Sequence, residues 1–399
     1  MTSKILPVRN YIHETLKNFP WTSNTQFETI WTYVDHQLAG RGRGRQALLR
    51  SGMSDFSDRI IEYQLRQANY YLNLLNEDLY RRTLKIDHRR IHQLSFDDTM
   101  NERYGEKVFG AAHQYNHTHG NVCHGQTLVD LVITTDHVLG VDFQAYLPKK
   151  YLQRAKGSLE DFETKIEIVY HQFQKWITKL RQQGLSPTKI WESVDCWYAC
   201  ERLTTLFRQS GTNFLLGLRK DAHCHWFGQT ARLDQVFNPS ANWYYRTDPN
   251  SGEKVHFQEK ILNLVKHGQC KVFAIRRGND IRIRYYATNR LKLKPEQLLP
   301  RLKAHWRVET MHLCLKDLFQ LRGGNSGKET MNNVHWQLSY MVYLLLCQYQ
   351  HQLHRGGGGS VTLPRLLIYY QYHYDVARAQ KCLFSPSRRS HLQQLLVTS

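Results

Sequence analysis

Between Ile91 and Asp195 the chain sets out one order of elements: three β-rich runs, one amphipathic helix, then a further β-type run. Ile91 to Asp97 reads as a short strand entering an acidic turn. Thr127 to Thr135 and Val138 to Tyr146 are β-rich and are parted by turn residues. Residues 158–183 carry a helical pattern, which Gly184-Leu185-Ser186-Pro187 breaks. Lys189 to Val194 fits a buried strand, and Asp195 stands at its end. Acidic residues therefore close the first and the last strand of this order.

The flanking segments read differently. Asp58 to Leu75 repeats apolar residues at three- and four-residue steps, so residues 1–90 are expected to be mainly helical. Asn213 to Lys220 fits another strand, and a polar, turn-rich region follows to about residue 300. Within it, Lys271 to Ile275 and Ile281 to Thr288 read as strands joined through Arg277-Gly278-Asn279-Asp280. Pro295 and Pro300 mark a return to helix, with helices expected over His305–Leu321 and Val334–His354. Arg355-Gly356-Gly357-Gly358-Gly359-Ser360 is a break before a basic, aromatic C-terminal segment. The expected division is 1–90, helical; 91–220, first part of an α/β core; 221–300, a β-rich insertion; 301–350, the rest of the core; and 351–399, a basic tail.

Charge narrows the partners. The 399 residues include 54 Lys and Arg against 34 Asp and Glu, a net charge of +20, which favours a polyanion. Gly40-Arg41-Gly42-Arg43-Gly44-Arg45 combines approachable backbone with guanidinium groups and suits contact with DNA phosphates, although a solvated turn reads equally well. No apolar run approaches the ~20 residues that span a bilayer, and the best, Leu338 to Cys347, is short and holds two Tyr. Met1-Thr2-Ser3-Lys4-Ile5-Leu6-Pro7 lacks a signal-peptide core, so a cytoplasmic protein is expected. The eight Cys residues form no Cys-x-x-Cys pair and read as ordinary thiols, the Cys196/Cys200 pair included.

The acids carry the chemistry. Asp97 lies in Phe96-Asp97-Asp98-Thr99, Asp195 in Val194-Asp195-Cys196-Trp197-Tyr198, and Glu309 in Trp306-Arg307-Val308-Glu309. Two divalent ions about 4 Å apart can cleave a phosphodiester, one activating the nucleophile and one stabilising the leaving oxygen. Mg²⁺ keeps much of its water, so a few carboxylates suffice to hold it. Lys316 stands two helical turns after Glu309 and could grip a phosphate. Each of these residues taken singly is more simply a cap, a turn residue or a solvated face. His113, His117, His119 and His124 also cluster near the first acid, but their turn-rich surroundings lack metal-ligand spacing.

Jointly, these motifs resemble the DDE transposases of bacterial insertion sequences, in the branch with a β-rich insertion before the final Glu. Phe96-Asp97-Asp98-Thr99, with Arg103-Tyr104-Gly105 and Gln114-Tyr115-Asn116-His117-Thr118, is similar to that family's first-acid region. Val194 to Tyr198 is similar to its second. Trp306-x-Val308-Glu309 with Lys316 is similar to its third, and Tyr286-Ala287-Thr288-Asn289 resembles the strand that closes the insertion. Two departures stand out. The Tyr and Arg of the family's Tyr-Arg-Glu-Lys signature fall on Leu302 and His305, and the first acid has a neighbour, Asp98, as an alternative to Asp97.

The resemblance implies an RNase H-like α/β core: a mixed five-stranded sheet flanked by helices and interrupted by a β-rich insertion subdomain, beside a helical N-terminal domain. It implies Asp97, Asp195 and Glu309 as catalytic metal ligands, with two Mg²⁺ ions, replaceable by Mn²⁺. It implies DNA contacts from Lys316, His305, Trp306, Arg41, Arg43 and Arg45. The activity implied is cleavage of transposon ends and strand transfer of their 3′-hydroxyls into target DNA. The partners implied are double-stranded DNA and a second copy of the chain, at the bacterial nucleoid and without a membrane. A hairpin intermediate would give Trp243, Tyr244 or Tyr245 a role in holding a flipped base, unless they are simply core residues of the insertion. The rival readings are a catalytically silent DNA-binding relative and an RNase H-like nuclease without strand transfer.

Overall fold

The protein is described by a computed structural model over residues 7–40, 57–87, 93–116, 120–135, 138–155, 157–237, 243–248, 252–278, 280, 282–355 and 361–384. Arg41, Arg43 and Arg45 lie outside the described residues. Two compact units are present, one drawn from Met1–Thr83, Asn101–Ala111 and His312–Ser399, the other from Leu84–Met100 and Ala112–Met311.

The second unit is built on a mixed sheet. Its strands in chain order are β1 (Gln93–Glu102), β2 (Ala112–Asn116), β3 (Asn121–Thr134), β4 (Val138–Tyr146), β5 (Trp191–Val194) and β6 (Asn213–Leu218). Strands β4, β3, β1, β5 and β6 lie side by side in that order, with β3 and β4 antiparallel and β5 parallel to both β1 and β6. This is the mixed five-stranded RNase H-like core. Between β4 and β5 come the helices α4 (Lys149–Arg154) and α5 (Lys165–Gln182), and α6 (Glu201–Gln209) joins β5 to β6. Thr164 caps α5 through a reciprocal pair with Glu167, satisfying two orphan donors of the first turn. On one face of the sheet, the Phe96 ring of β1 lies 6.4 Å from both Phe173 of α5 and Phe207 of α6, which are themselves 5.1 Å apart.

After β6 come β7 (His223–Trp226), β8 (Gln229–Arg232), a single helical turn α7 (Leu233–Val236), β9 (Tyr244–Thr247), β10 (Lys254–Leu264), β11 (Gly268–Arg277) and β12 (Arg284–Thr288). This β-rich insertion does not form a separate sheet. Strand β12 pairs antiparallel with β6, and β11, β10 and the β7–β8 hairpin follow outward from it. The reason lies in the alternation of β10 and β11. Val255, Phe257, Phe273 and Ile275 are buried in one apolar cluster with Trp191 of β5 and Leu215 of β6. The same cluster takes Leu298, Leu299 and Leu302 from the long helix α8 (Pro295–Asp317). One core thus fixes the insertion, the central strands and the start of α8 together.

The first unit holds the helices α1 (Val8–Lys17), α2 (Asn24–Leu38), α3 (Asp58–Asp87), α9 (Glu329–Arg355) and α10 (Leu363–Phe384). Helix α9 is buried all round from Val334 to Cys347, as a central helix must be. Its neighbours are tied by polar links. Arg9 donates two bonds to Asp35, at 2.8 and 2.6 Å, and Tyr370 donates a third at 2.7 Å. No described helix is long and apolar enough to cross a membrane.

Candidate active site

Asp97 and Asp195 come together through strand register. Leu94, Ser95 and Phe96 of β1 stand opposite Glu192, Ser193 and Val194 of β5. The next position on the two parallel strands is Asp97 beside Asp195. Strand β1 does not end there, as the expected acidic turn would require; it runs on to Glu102, while β5 stops at Val194. The two acids therefore flank the point where β5 leaves the sheet. Asp195 Oδ1 accepts from the backbone N–H of Trp197 at 2.9 Å and of Tyr198 at 3.3 Å, which turns the chain sharply after β5. Gly217 on β6 makes room for that turn. A Cβ there would sit 3.1 Å from Cys196 N and 3.3 Å from the Asp195 carbonyl carbon.

Helix α8 runs along the face that carries both acids. Side chains alternate along a strand, so Gln93, Ser95 and Asp97 share one face of β1, as do Ser193 and Asp195 on β5. Gln93 Nε2 donates to Ser193 Oγ at 2.8 Å and to the Arg301 carbonyl at 3.0 Å. Ser95 and Ser193 hydroxyls are 2.7 Å apart, and Ser193 Oγ lies 3.0 Å from His305 Nδ1. Two strand residues advance about 6.6 Å and four helical residues about 6 Å. The rungs therefore climb together, Gln93 with Arg301 and then Ser95 and Ser193 with His305. The next step of the same spacing on α8 is Glu309.

Two tyrosines register the charges of this region. Burial, then the charges of Asp98, Asp97 and Asp195, push the Tyr198 phenol well above its ordinary range. Burial also raises Tyr286, with Arg284 and Arg277 opposing and the charges of Cys196 and Glu309 adding to the rise. Among the described residues, no three His, Cys, Asp or Glu side chains form a group that could hold a metal ion. The donors that register brings side by side, Asp97 and Asp195, are hard carboxylates of the kind Mg²⁺ and Mn²⁺ favour.

The two adjacent acids of β1 have different surroundings. Asp98 Oδ1 accepts from the Tyr198 hydroxyl at 2.6 Å, and its Oδ2 accepts from Lys165 Nζ at 2.8 Å. Asp98 thus ties β1 to the start of α5 and to the turn after β5. His305 is held against Ser193, and burial pushes its imidazole down to about 4, leaving it neutral at pH 7. Leu302 is buried in the apolar cluster. Trp306 is exposed, as is Glu309, and Lys316 is half-buried near the end of α8. Tyr244 stacks on Phe257 with centroids 5.9 Å apart, while Tyr245 is exposed and Trp243 lies under the Arg276 guanidinium.

Ser193, Gln93, Tyr198, Lys165 and Gly217 shape this region and were not singled out from the sequence. A signal was present for Gln93: Gln93-Leu94-Ser95-Phe96-Asp97 alternates polar and apolar residues, whereas Glu192 beside Ser193 blurs the same alternation in β5.

Asp97, on β1, and Asp195, directly after β5, thus stand on neighbouring central segments of an RNase H-like sheet. The chain belongs to the DDE superfamily endonuclease family, whose model matches residues 41–240, half of the chain, including Asp97 and Asp195. None of the curated proteins compared with the chain matches it.

Proposed function

We propose that this chain is a transposase that cuts the ends of a DNA element and joins the freed 3′-hydroxyls to target DNA. The observation that supports the reading is the set of contacts tying α8 to β1 and β5, Gln93 to Ser193 and to the Arg301 carbonyl and Ser193 to His305; one more step of that spacing would bring Glu309 toward Asp97 and Asp195. Asp97, Asp195 and Glu309 are the residues that would hold divalent metal. Bound there, two Mg²⁺ or Mn²⁺ ions would activate the attacking oxygen and stabilise the leaving oxygen.

The chain's own residues set the geometry. The β1–β5 register fixes the spacing of the two aspartates, and the turn that Asp195 caps holds its carboxylate. Asp98, engaged by Tyr198 and Lys165, acts as the brace and Asp97 as the ligand. His305, neutral and bound to Ser193, keeps α8 in step with the sheet. Lys316 and Trp306 remain the DNA contacts on α8, and the helical N-terminus and basic C-terminus serve end recognition and pairing of two copies. The net charge of +20 supports DNA as the partner.

The test is nicking of labelled duplex DNA carrying the element's ends, with Mg²⁺ or Mn²⁺. Nicking at the end boundary by the unaltered protein, lost in Asp97→Asn, Asp195→Asn and Glu309→Gln, is the expected result. Binding without nicking by every protein would favour the silent DNA-binding relative. Nicking without joining of 3′-ends would favour a plain nuclease.

A further inference from the structure

At the other end of the central strands lies a cleft of about 1270 Å³ that the carboxylate site does not use. Its floor is Trp191, the first residue of β5, and Thr134 and Thr135 at the end of β3. Its walls carry five cations: Arg290 and Lys292 from the segment after β12, and Arg301, Lys303 and Arg307 from α8. The single acid on its lining, Glu296, is engaged by Arg246. Arg301 stacks on the Trp191 ring at 4.8 Å, and Arg307 Nη1 donates to the Thr135 carbonyl at 3.2 Å, so two cations belong to the frame of the cleft. Arg290, Lys292 and Lys303 are exposed, and among the described residues no ion pair or hydrogen bond engages the side chain of any of them.

We infer that this cleft is a second DNA-binding surface, which grips the phosphodiester backbone of duplex away from the scissile phosphate. The inference rests on the reading of the chain as a DNA-cutting enzyme. Five cations against one neutralised carboxylate create a local positive field that favours a polyanion. The cleft is open and far larger than one phosphate group, which suits a continuous backbone. Four strand steps separate Trp191 from Asp195, about 13 Å, or about four base-pair steps along a duplex axis. A phosphate in the cleft is therefore a different one from that at the acids. Helix α8 spans both places, with Lys303 and Arg307 on the cleft and Glu309 beyond them, so one rigid element sets the distance between grip and cut.

The test uses the full chain, a 30-base-pair duplex, and Arg290→Ala/Lys292→Ala/Lys303→Ala. Affinity is measured across a salt series, where the slope of log K against log salt reports the phosphates neutralised, about 0.9 per contact. The expected result is a slope shallower by two to three units and weaker binding at every salt concentration, with an unchanged thermal midpoint. Lys303→Glu provides a second variant, expected to weaken binding at least tenfold, should the triple variant fold poorly. Asp97→Asn tests the underlying reading separately, because it removes nicking and leaves the slope intact. An unchanged slope in the triple variant overturns the inference. So does loss of inorganic tripolyphosphate binding with the duplex slope intact, which would make the cleft a site for small polyanions.

Discussion

Glu192 is the most severe electrostatic demand that the central strands make, and it allows a stringent test of the fold. The residue lies on β5 between Leu94 of β1 and Phe214 of β6, fully buried, and neither carboxyl oxygen has a hydrogen-bond partner. Burial pushes its carboxyl well above the ordinary carboxylate range. In the folded protein the acid is protonated, and on unfolding it releases that proton into water. Above the unfolded value of about 4.3, the unfolded state binds fewer protons than the folded one, so stability falls as pH rises. The loss is about 1.4 kcal/mol per pH unit, up to the folded pKa. Glu192→Gln removes this term and keeps the shape. Its amide inherits the same unpartnered site, so the offset between the two proteins at low pH takes either sign. Their difference must nonetheless grow in favour of the variant as pH rises above the unfolded value, by up to about 1.4 kcal/mol per unit, until the raised folded pKa is reached. Urea unfolding of both proteins at matched pH values reads this directly, because every other titrating group is common to both. A difference that stays flat with pH would show that Glu192 is ionised in the fold, and the packing of β5 described above would be wrong.

Further outcomes follow from the site. Asp98→Asn should lower stability by about 1–2 kcal/mol through its bonds to Tyr198 and Lys165, and keep nicking within about threefold, whereas Asp97→Asn should reduce nicking by about 10²–10³-fold or more; thermal melts and nicking rates separate the two. Gly217→Ala would press a methyl group to 3.1 Å from Cys196 N and shift the Asp195 turn by a few tenths of an ångström, with nicking down about tenfold and DNA affinity unchanged. His267 and His335 are buried and pushed down to about 4, mainly by desolvation. The unfolded chain takes up protons at these residues below about 6.5 while the folded one does not, so stability should fall between pH 6.5 and 4. Replacing His335 by Gln should flatten that fall by up to about 3 kcal/mol, measured by urea midpoints at the two ends.

The order of β1, β3, β4, α5, β5 and β6 was legible because these runs of β-type residues ended at turn signals and the helix over 165–182 carried its own cap, whereas β2 and β7 to β10 were not read from the sequence. The acids were legible through their local motifs. Strand limits were less so. The sequence suggests a turn at Asp97, yet β1 continues to Glu102, because Asp98 finds Tyr198 and Lys165, and Met100 and Cys123 meet across β1 and β3. The union of the insertion with the central sheet was also hidden. Nothing local in Arg284 to Thr288 says that its partner is Leu216 to Leu218, a pairing set by the apolar cluster that both share with α8. His305 illustrates the same limit. A histidine beside a candidate acid suggests phosphate contact, and only the facing Ser193 shows the bond that holds it in the frame.

The central proposal is that Asp97, Asp195 and Glu309 together hold the divalent metal, and Fe²⁺ in place of Mg²⁺ tests it most directly. With ascorbate and peroxide, bound Fe²⁺ makes hydroxyl radicals that cut only nearby backbone, and mass spectrometry locates the cuts. The account predicts scission at three separated places, around residues 97, 195 and 309, all suppressed by excess Mg²⁺ and by Asp97→Asn. Cuts around 97 and 195 alone would remove Glu309 from the site, and with it the ladder on α8.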